Sequence, residues 1–204
     1  QYLEIASAAG LLRLTPITPS TIRVSFVKGV TGTIQDTNWK VQTDTAVTWG
    51  AKESRSEVQL LADRILIRVE KANGAVQFLS RDGKKLLTEN PSEPRLLLDS
   101  QTWNFFAWDK NERLKSKGVL ADDFMDLTTK ARYISFGQKK LRMPLVLSNK
   151  GYAIGVAAGS TVLFCNVRTY GQYIYTQGTG QIDYYFIYDE NQERNIEQYR
   201  NLPV

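Results

Sequence analysis

Hydrophobic and polar residues alternate with a period of two along much of the chain, which is the pattern of half-buried β-strands. In residues 21–26 the side chains of Ile22, Val24 and Phe26 fall on one face of an extended backbone. The same alternation returns in residues 182–188. These segments predict strands that turn one face to a core and the other to water.

Turn dipeptides divide the strand-like segments in the first half of the chain. Asn73-Gly74 lies between residues 64–70 and 75–80, and Asp82-Gly83 lies between residues 75–80 and 84–88. Both dipeptides accept the positive φ that tight hairpin turns require. The sequence therefore predicts a three-stranded antiparallel meander here.

Short strands separated by turns also fill the second half of the chain. The predicted strands are residues 141–148, 152–157, 161–168, 173–176 and 182–188. Many short strands with turns between them indicate a sandwich or a barrel. We predict an all-β fold, a two-sheet antiparallel β-sandwich, with long loops in the weakly patterned residues 27–57 and 89–131.

The pattern changes at the carboxyl end. Asp189 and Gln192 have the spacing of a capping box, with Asp in place of the usual Ser or Thr, and Pro203 ends the polar segment that follows. We predict a β-sandwich domain over residues 1–188 and a short helical linker over residues 189–204 that leads out of it.

Composition and charge exclude several classes of protein. Hydrophobic residues make up 42% of the chain, which is enough for a packed core, and no apolar run is long enough to span a membrane. The net charge of +5 is spread along the sequence. The tightest basic cluster is Lys139, Lys140 and Arg142, and it has no recognition motif around it. We therefore expect no nucleic-acid partner.

The sequence contains no histidine, and Cys165 is its one cysteine. This excludes Ser-His-Asp and Cys-His catalysis, histidine-ligated zinc and an internal disulfide. The acidic candidates for catalysis are Asp122, Asp123 and Asp126 in one polar loop and Asp183 in a strand. Acids in such a loop are usually solvated or capping, and the loop lacks the spacing of a calcium site. We expect no catalytic residue, metal or cofactor.

Two groups of aromatic residues have two interpretations each. One group comprises Tyr170, Tyr173 and Tyr175. The other comprises Trp103, Phe105, Phe106 and Trp108. Aromatic side chains in strands usually belong to the core, but exposed rings stack on sugars or cover a docking surface. We take Tyr173 and Tyr175 as candidates for sugar stacking, and all four residues of the second group as candidates for docking another domain.

Several segments, in order along the chain, are similar to the amino-terminal domain of glycoside hydrolase family 31, which includes α-glucosidases and α-xylosidases. Residues 143–154, with the sequence MPLVLSNKGYAI, resemble the family's IPFLLSSKGYG segment. Residues 12–26 resemble its opening pair of strands, and residues 67–83 its hairpin meander. Residues 183–188 and the helix after them resemble its exit strand and linker.

This resemblance implies a galactose-mutarotase-like β-sandwich that packs on a catalytic (β/α)8 barrel of the same polypeptide. In the family, the catalytic carboxylates lie on that barrel, and a loop of the sandwich reaches the rim of the carbohydrate pocket. By position, Phe136 and Gln138 are the rim candidates here. Residues 115–119 depart from the family's segment and keep only its second glycine, Gly118, so the parent enzyme is expected to be a divergent or inactive member.

Two other functions remain open at this point. A free-standing carbohydrate-binding or protein-interaction sandwich would explain the aromatic residues equally well. A complete small enzyme conflicts with the absent histidines and the scattered acids. The chain begins at Gln1 and not at Met, which favours a removed secretory signal and a secreted or periplasmic location over a cytoplasmic one.

Overall fold

A computed structural model describes residues 1–29, 31–35, 47–117, 124–136, 143–157, 159 and 161–203, with the backbone alone for residues 135 and 136. Within these residues the structure consists of β-strands and one short helix. The strands are β1 (Leu3–Ala6), β2 (Gly10–Thr18), β3 (Thr21–Lys28), β4 (Gly50–Glu53), β5 (Glu57–Leu61), β6 (Ile65–Glu70), β7 (Val76–Ser80), β8 (Lys85–Thr88), β9 (Arg95–Leu98), β10 (Gln101–Phe105), β11 (Leu114–Lys117), β12 (Phe124–Asp126), β13 (Ala131–Phe136), β14 (Leu145–Ser148), β15 (Tyr152–Val156), β16 (Thr161–Val167), β17 (Gly171–Gln177) and β18 (Ile182–Tyr188). The helix is α1 (Gln192–Arg200).

The strands pair antiparallel in three sheets. An eight-stranded sheet has the order β1-β2-β3-β18-β15-β14-β11-β12. One five-stranded sheet has the order β13-β16-β17-β10-β9, and the other is the meander β4-β5-β6-β7-β8. The predicted all-β antiparallel sandwich is therefore confirmed.

The two five-stranded sheets adjoin and together face the eight-stranded sheet. A β-bridge joins Glu89 to Phe106, and the Asn90 amide donates to the Phe105 carbonyl at 2.9 Å, so β8 continues alongside the end of β10. Across the sandwich, the ring of Phe78 stacks on that of Phe186 with centroids 4.0 Å apart. Side chains from all three sheets form one hydrophobic core.

A buried carboxylate lies where these sheets meet. Glu89 is fully buried, and its Oε1 accepts hydrogen bonds from Asn104 Nδ2 at 3.2 Å and from the Tyr184 hydroxyl at 2.9 Å. Its Oε2 accepts from the Val76 amide at 2.9 Å and from the Arg95 guanidinium, which forms a buried ion pair with it. The four donors come from β7, β9, β10 and β18, so one side chain ties all three sheets together.

The predicted meander is confirmed over β6, β7 and β8. Gly74 and Gly83 have φ of 74° and 88° in the two turns, as the turn dipeptides predicted. The structure adds β4 and β5 to the same sheet. The prediction of long loops in residues 27–57 and 89–131 was wrong for β4 and for β9 to β12. In β10 the inward positions Thr102 and Asn104 are polar, while the outward positions include aromatic Trp103 and Phe105, which reverses the usual pattern.

The predicted helix is present, but its N-cap is Asn191, two residues later than the Asp189 that the capping-box spacing indicated. The Asn191 side chain caps α1 by accepting from the Glu193 amide at 3.0 Å. Asp189 instead accepts from the Asn191 amide at 2.9 Å and forms an ion pair with Arg64 at 3.1 Å. Because the Asp189 carboxylate binds the Asn191 amide and Arg64, the side chain that caps the helix is that of Asn191.

The helix packs back onto the outer face of the eight-stranded sheet. It brings Ile196, Tyr199 and the following Leu202 against the outward side chains of the sheet in a second hydrophobic cluster. The other members of that cluster are Ile17, Met143, Leu145, Leu147, Ala153, Tyr185 and Ile187. The strands beneath are consequently buried along their length on both faces, as β14, β15 and β18 show. The predicted linker role of residues 189–204 stays a prediction.

Gly155 provides the space that lets the helix approach the sheet so closely. A Cβ at this position would lie 2.2 Å from Cε2 of Tyr199. We predict that Gly155→Val destabilises the domain by about 3 kcal/mol, because a packed interface has no room for added carbon atoms. Urea unfolding followed by fluorescence measures this. Gly50→Val is the matched control, since a Cβ there meets nothing within 4 Å, and equal midpoints for the two variants would contradict the packing.

Candidate functional site

The acidic candidates do not form a catalytic pair within the described residues. Asp126 is exposed at the end of β12, and hydrogen bonds from the Thr128 backbone and side chain lower the pKa of its carboxyl. Asp183 is buried in an ion pair with Arg23, whose Nε donates to Oδ1 at 2.7 Å, and it also accepts from Ser25 at 3.2 Å. Asp122 and Asp123 lie outside the described residues. Asp126 is a turn cap, and Asp183 is a structural ion.

The other buried carboxylates are also occupied by donors of the chain itself. Glu112 accepts from the hydroxyls of Ser148, at 2.5 Å, and Tyr152, and its Oε2 lies 3.1 Å from Lys150 Nζ. It lines a groove of about 340 Å³ together with Asp109, whose pKa is lowered by the hydrogen bond from Lys150. The charges in this groove neutralise one another. Their arrangement is that of a structural network and not of an open acid–base site.

Neither a metal cluster nor a membrane-crossing helix is found in the part of the chain that the structure describes. There, no three acidic or cysteine side chains come together to hold a metal ion. Its single helix is too short and too polar to cross a bilayer. The basic cluster Lys139, Lys140 and Arg142 lies outside the described residues, as does Gly118.

The four aromatic residues of the predicted docking segment separate into two pairs. Phe106 and Trp108 are buried, at 2% and 5% exposure, and their rings pack in the core with centroids 5.0 Å apart. Buried rings offer no surface, so these two residues are removed from the docking prediction. Trp103 and Phe105 lie on the opposite, outward side of β10 and are half-buried. The alternation of the strand causes this split.

The outward pair of β10 meets the sugar-stacking candidates on the neighbouring strand. Trp103 pairs with Tyr175, and Phe105 pairs with Tyr173, across the β10–β17 ladder. The first two rings lie 4.9 Å apart and tilted by 51°, and the second two lie 5.8 Å apart and nearly perpendicular at 72°. Residues taken from two separate parts of the sequence thus form one surface. Tyr170 lies on the turn before β17 and is 75% exposed.

Aliphatic side chains extend this surface across the sheet. Leu96 of β9 lies opposite Trp103, and Leu163 of β16 lies opposite Tyr175. We call the half-buried set Leu96, Trp103, Phe105, Leu163, Tyr173 and Tyr175 the aromatic face. At its borders Leu98 is 50% exposed and Tyr133 is 46% exposed. The sequence identified the two groups of aromatic residues but did not predict that they form one surface, because the pairing of distant strands is not visible in local patterns.

Charged side chains are missing from the outward positions of these strands within the described residues. The polar outward positions beside the aromatic face are Gln101, Thr161 and Gln177, all uncharged. Burial, followed by the neighbouring Cys165, raises the pKa of the Tyr173 phenol, so this group is also neutral at physiological pH. Charged residues make up 23% of the chain, so an uncharged sheet face differs from an ordinary solvent face.

One rim candidate, Phe136, lies at an edge of the same sheet. The backbone of Phe136 pairs with Thr161 at the end of β13, the edge strand. Gln138 lies outside the described residues. The prediction that these two residues contact sugar stays a prediction.

Three solved enzymes have this fold as part of a longer chain. A dextranase of glycoside hydrolase family 31 from Flavobacterium johnsoniae superimposes over 94% of this chain and 25% of its own, with a TM-score of 0.77 and 14% identity. An α-xylosidase of the family from a soil metagenome superimposes over 98% of this chain and 34% of its own, with a TM-score of 0.74 and 17% identity. A cycloalternan-forming enzyme from Listeria monocytogenes superimposes over 94% of this chain and 19% of its own, with a TM-score of 0.74 and 16% identity.

The chain has the fold of one portion of these enzymes. The β-sandwich fold that the resemblance to family 31 implied is thereby confirmed. The chain spans between about a fifth and a third of the length of the three enzymes. No family model and no curated relative matches the sequence itself.

The buried tyrosines make the fold sensitive to alkaline pH. Burial, and then the charge of Glu89, raises the pKa of Tyr184 well above its usual value near 10, and burial and Glu112 do the same for Tyr152. In the unfolded chain both phenols ionise above about pH 10. Their contribution to stability is therefore present below pH 10 and is lost as the pH rises beyond it, by about 1.4 kcal/mol per pH unit for each tyrosine.

We predict that above pH 10 the free energy of unfolding of Tyr184→Phe falls less steeply with pH than that of the wild type. The difference in slope is about 1.4 kcal/mol per pH unit, because one buried phenol has been removed. Below pH 10 the same variant is less stable by about 1–3 kcal/mol, because Glu89 loses a donor. Urea unfolding at several pH values between 9 and 11.5, roughly spanning the reference tyrosine pKa, measures both effects. Parallel pH dependences in the wild type and in Tyr184→Phe would contradict the account.

Proposed function

We propose that this chain is a non-catalytic amino-terminal domain of a family 31 glycoside hydrolase, similar to α-glucosidases and α-xylosidases. In this proposal it packs on the catalytic (β/α)8 barrel of the same polypeptide and lends part of the rim of the carbohydrate pocket. The observation that carries the proposal is that nearly the whole chain matches one portion of three much longer carbohydrate-active enzymes.

The chemistry of the described residues supports a non-catalytic role. Glycoside hydrolysis needs two carboxyl groups on either side of the scissile bond, one of them protonated. The buried carboxylates of Glu89, Glu112 and Asp183 instead accept hydrogen bonds from, or form ion pairs with, side chains of the chain itself. Sugar anomerisation by imidazole is excluded because the sequence has no histidine.

We predict that the 204-residue chain alone hydrolyses neither aryl α-glucosides nor aryl α-xylosides and does not accelerate sugar anomerisation. The intact polypeptide that contains it is expected to hydrolyse at least one α-linked substrate class. Release of the aryl group and polarimetry measure the two reactions. Turnover by the chain alone that disappears in Asp122→Asn, Asp123→Asn or Asp126→Asn would overturn the proposal.

The rim role predicts a specific kinetic effect in the intact enzyme. Phe136→Ala and Gln138→Ala are expected to raise KM severalfold with little change in kcat, because a rim residue binds sugar away from the bond that breaks. Tyr170→Ala is the control, since that side chain lies on an exposed turn. A large fall in kcat at unchanged KM for either rim variant would contradict the assignment.

A further inference from the structure

The two outer faces of the sandwich differ in one respect. The eight-stranded sheet is covered by α1, which buries its outward side chains in the second hydrophobic cluster. The sheet that contains β10 and β17 has no such cover within the described residues, yet its outward side chains are the aromatic face. A solvent face of a sheet normally alternates hydrophobic-in with polar-out. In this sheet the outward positions of β10 and β17 are instead largely apolar.

Its side chains have the composition of a protein interface. Aromatic residues are enriched and charged residues depleted at the centre of protein interfaces. The aromatic face combines Trp103, Phe105, Tyr173 and Tyr175 with aliphatic side chains, and the outward positions beside it are uncharged. Contiguous apolar surface of this kind marks an interaction site more often than scattered exposed residues do.

The geometry fits a protein partner better than a sugar. A sugar platform presents ring faces towards the ligand, with hydrogen-bonding groups around them. Here Trp103 is tilted against Tyr175, and Phe105 meets Tyr173 edge to face, so the rings cover part of one another. Leu96 and Leu163 fill the positions next to them, where side chains that bind sugar hydroxyls would be needed.

We propose that the aromatic face is the surface on which a second domain of the same polypeptide docks, through uncharged and apolar side chains of that domain. This rests on the proposed function. A domain of the same polypeptide is chosen because in the three solved enzymes this fold makes up only about a fifth to a third of the chain. An apolar partner surface is chosen because the aromatic face carries no charged side chain. The docking prediction thus moves from Phe106 and Trp108 to Tyr173 and Tyr175, next to Trp103 and Phe105.

Hydroxyl-radical footprinting of the intact polypeptide, compared with the 204-residue chain, tests the proposal. Oxidation of Trp103 and Tyr175 is expected to fall by about fivefold in the intact polypeptide, because side chains at the centre of an interface lose contact with water. Tyr170, on an exposed turn, is the internal control and is expected to change by less than about twofold. Equal labelling of Trp103 and Tyr175 in both proteins would overturn the proposal.

Charged variants separate docking from folding. Leu98→Lys and Tyr175→Lys place an unpaired charge on the face and are expected to abolish the protection of Trp103 in the intact polypeptide. Tyr170→Lys is the matched control and keeps the protection. Because Leu98 is already half-exposed, Leu98→Lys leaves the unfolding midpoint of the 204-residue chain unchanged. Retained protection in Leu98→Lys would also overturn the proposal.

Two further outcomes are distinguishable. Retardation of the 204-residue chain by dextran or xyloglucan in a gel, lost in Trp103→Ala, would make the face a glycan site and overturn docking. A polypeptide that holds no further domain would overturn both the proposed function and the docking surface. A catalytically active polypeptide with an unprotected face would overturn the docking surface alone.

Discussion

The three sheets of this domain depend on the buried carboxylate of Glu89. Its four donors come from four strands and all three sheets, and one of them is the guanidinium of Arg95. Removal of one partner from a buried ion pair typically costs about 3–5 kcal/mol, and the whole stability of a domain is about 5–15 kcal/mol. A single residue at the junction therefore controls a large share of the stability and fixes how the layers meet.

The fixed junction determines which surfaces are left for function. It aligns β8 with the end of β10, so that Phe106 enters the shared core while Trp103 and Phe105 remain outside. On the other side of the molecule, α1 covers the eight-stranded sheet, and Gly155 admits Tyr199 against it. One outer face is thus closed by the chain itself. The aromatic face has no such cover among the residues that the structure describes, and we therefore propose it as the surface through which the domain docks.

Local sequence patterns predicted the features that depend on local physics. Alternation identified β3, β6 and β18. The dipeptides ending in Gly74 and Gly83 identified the two turns of the meander β6-β7-β8. Strand β10 was missed because polar Thr102 and Asn104 point into the core, where Thr102 bonds to Thr176 at 2.5 Å. Such polar pairs and the joining of β10 to β17 depend on contacts between residues distant in sequence. Asp126 accepts from the Thr128 amide, a capping role of the kind expected for acids in its loop, and the buried ion pair of Asp183 with Arg23 is a long-range contact that no local pattern predicted.

The central claim is that this sandwich serves a larger enzyme by packing against it and not by chemistry of its own. A crystal structure of the intact polypeptide with a bound oligosaccharide measures this most directly. The account predicts that the rings of Trp103 and Tyr175 are covered by another domain and that the scissile bond lies against carboxylates beyond residue 204. A structure with the scissile bond against Asp126 or Asp183, or with the aromatic face open to solvent, would contradict it.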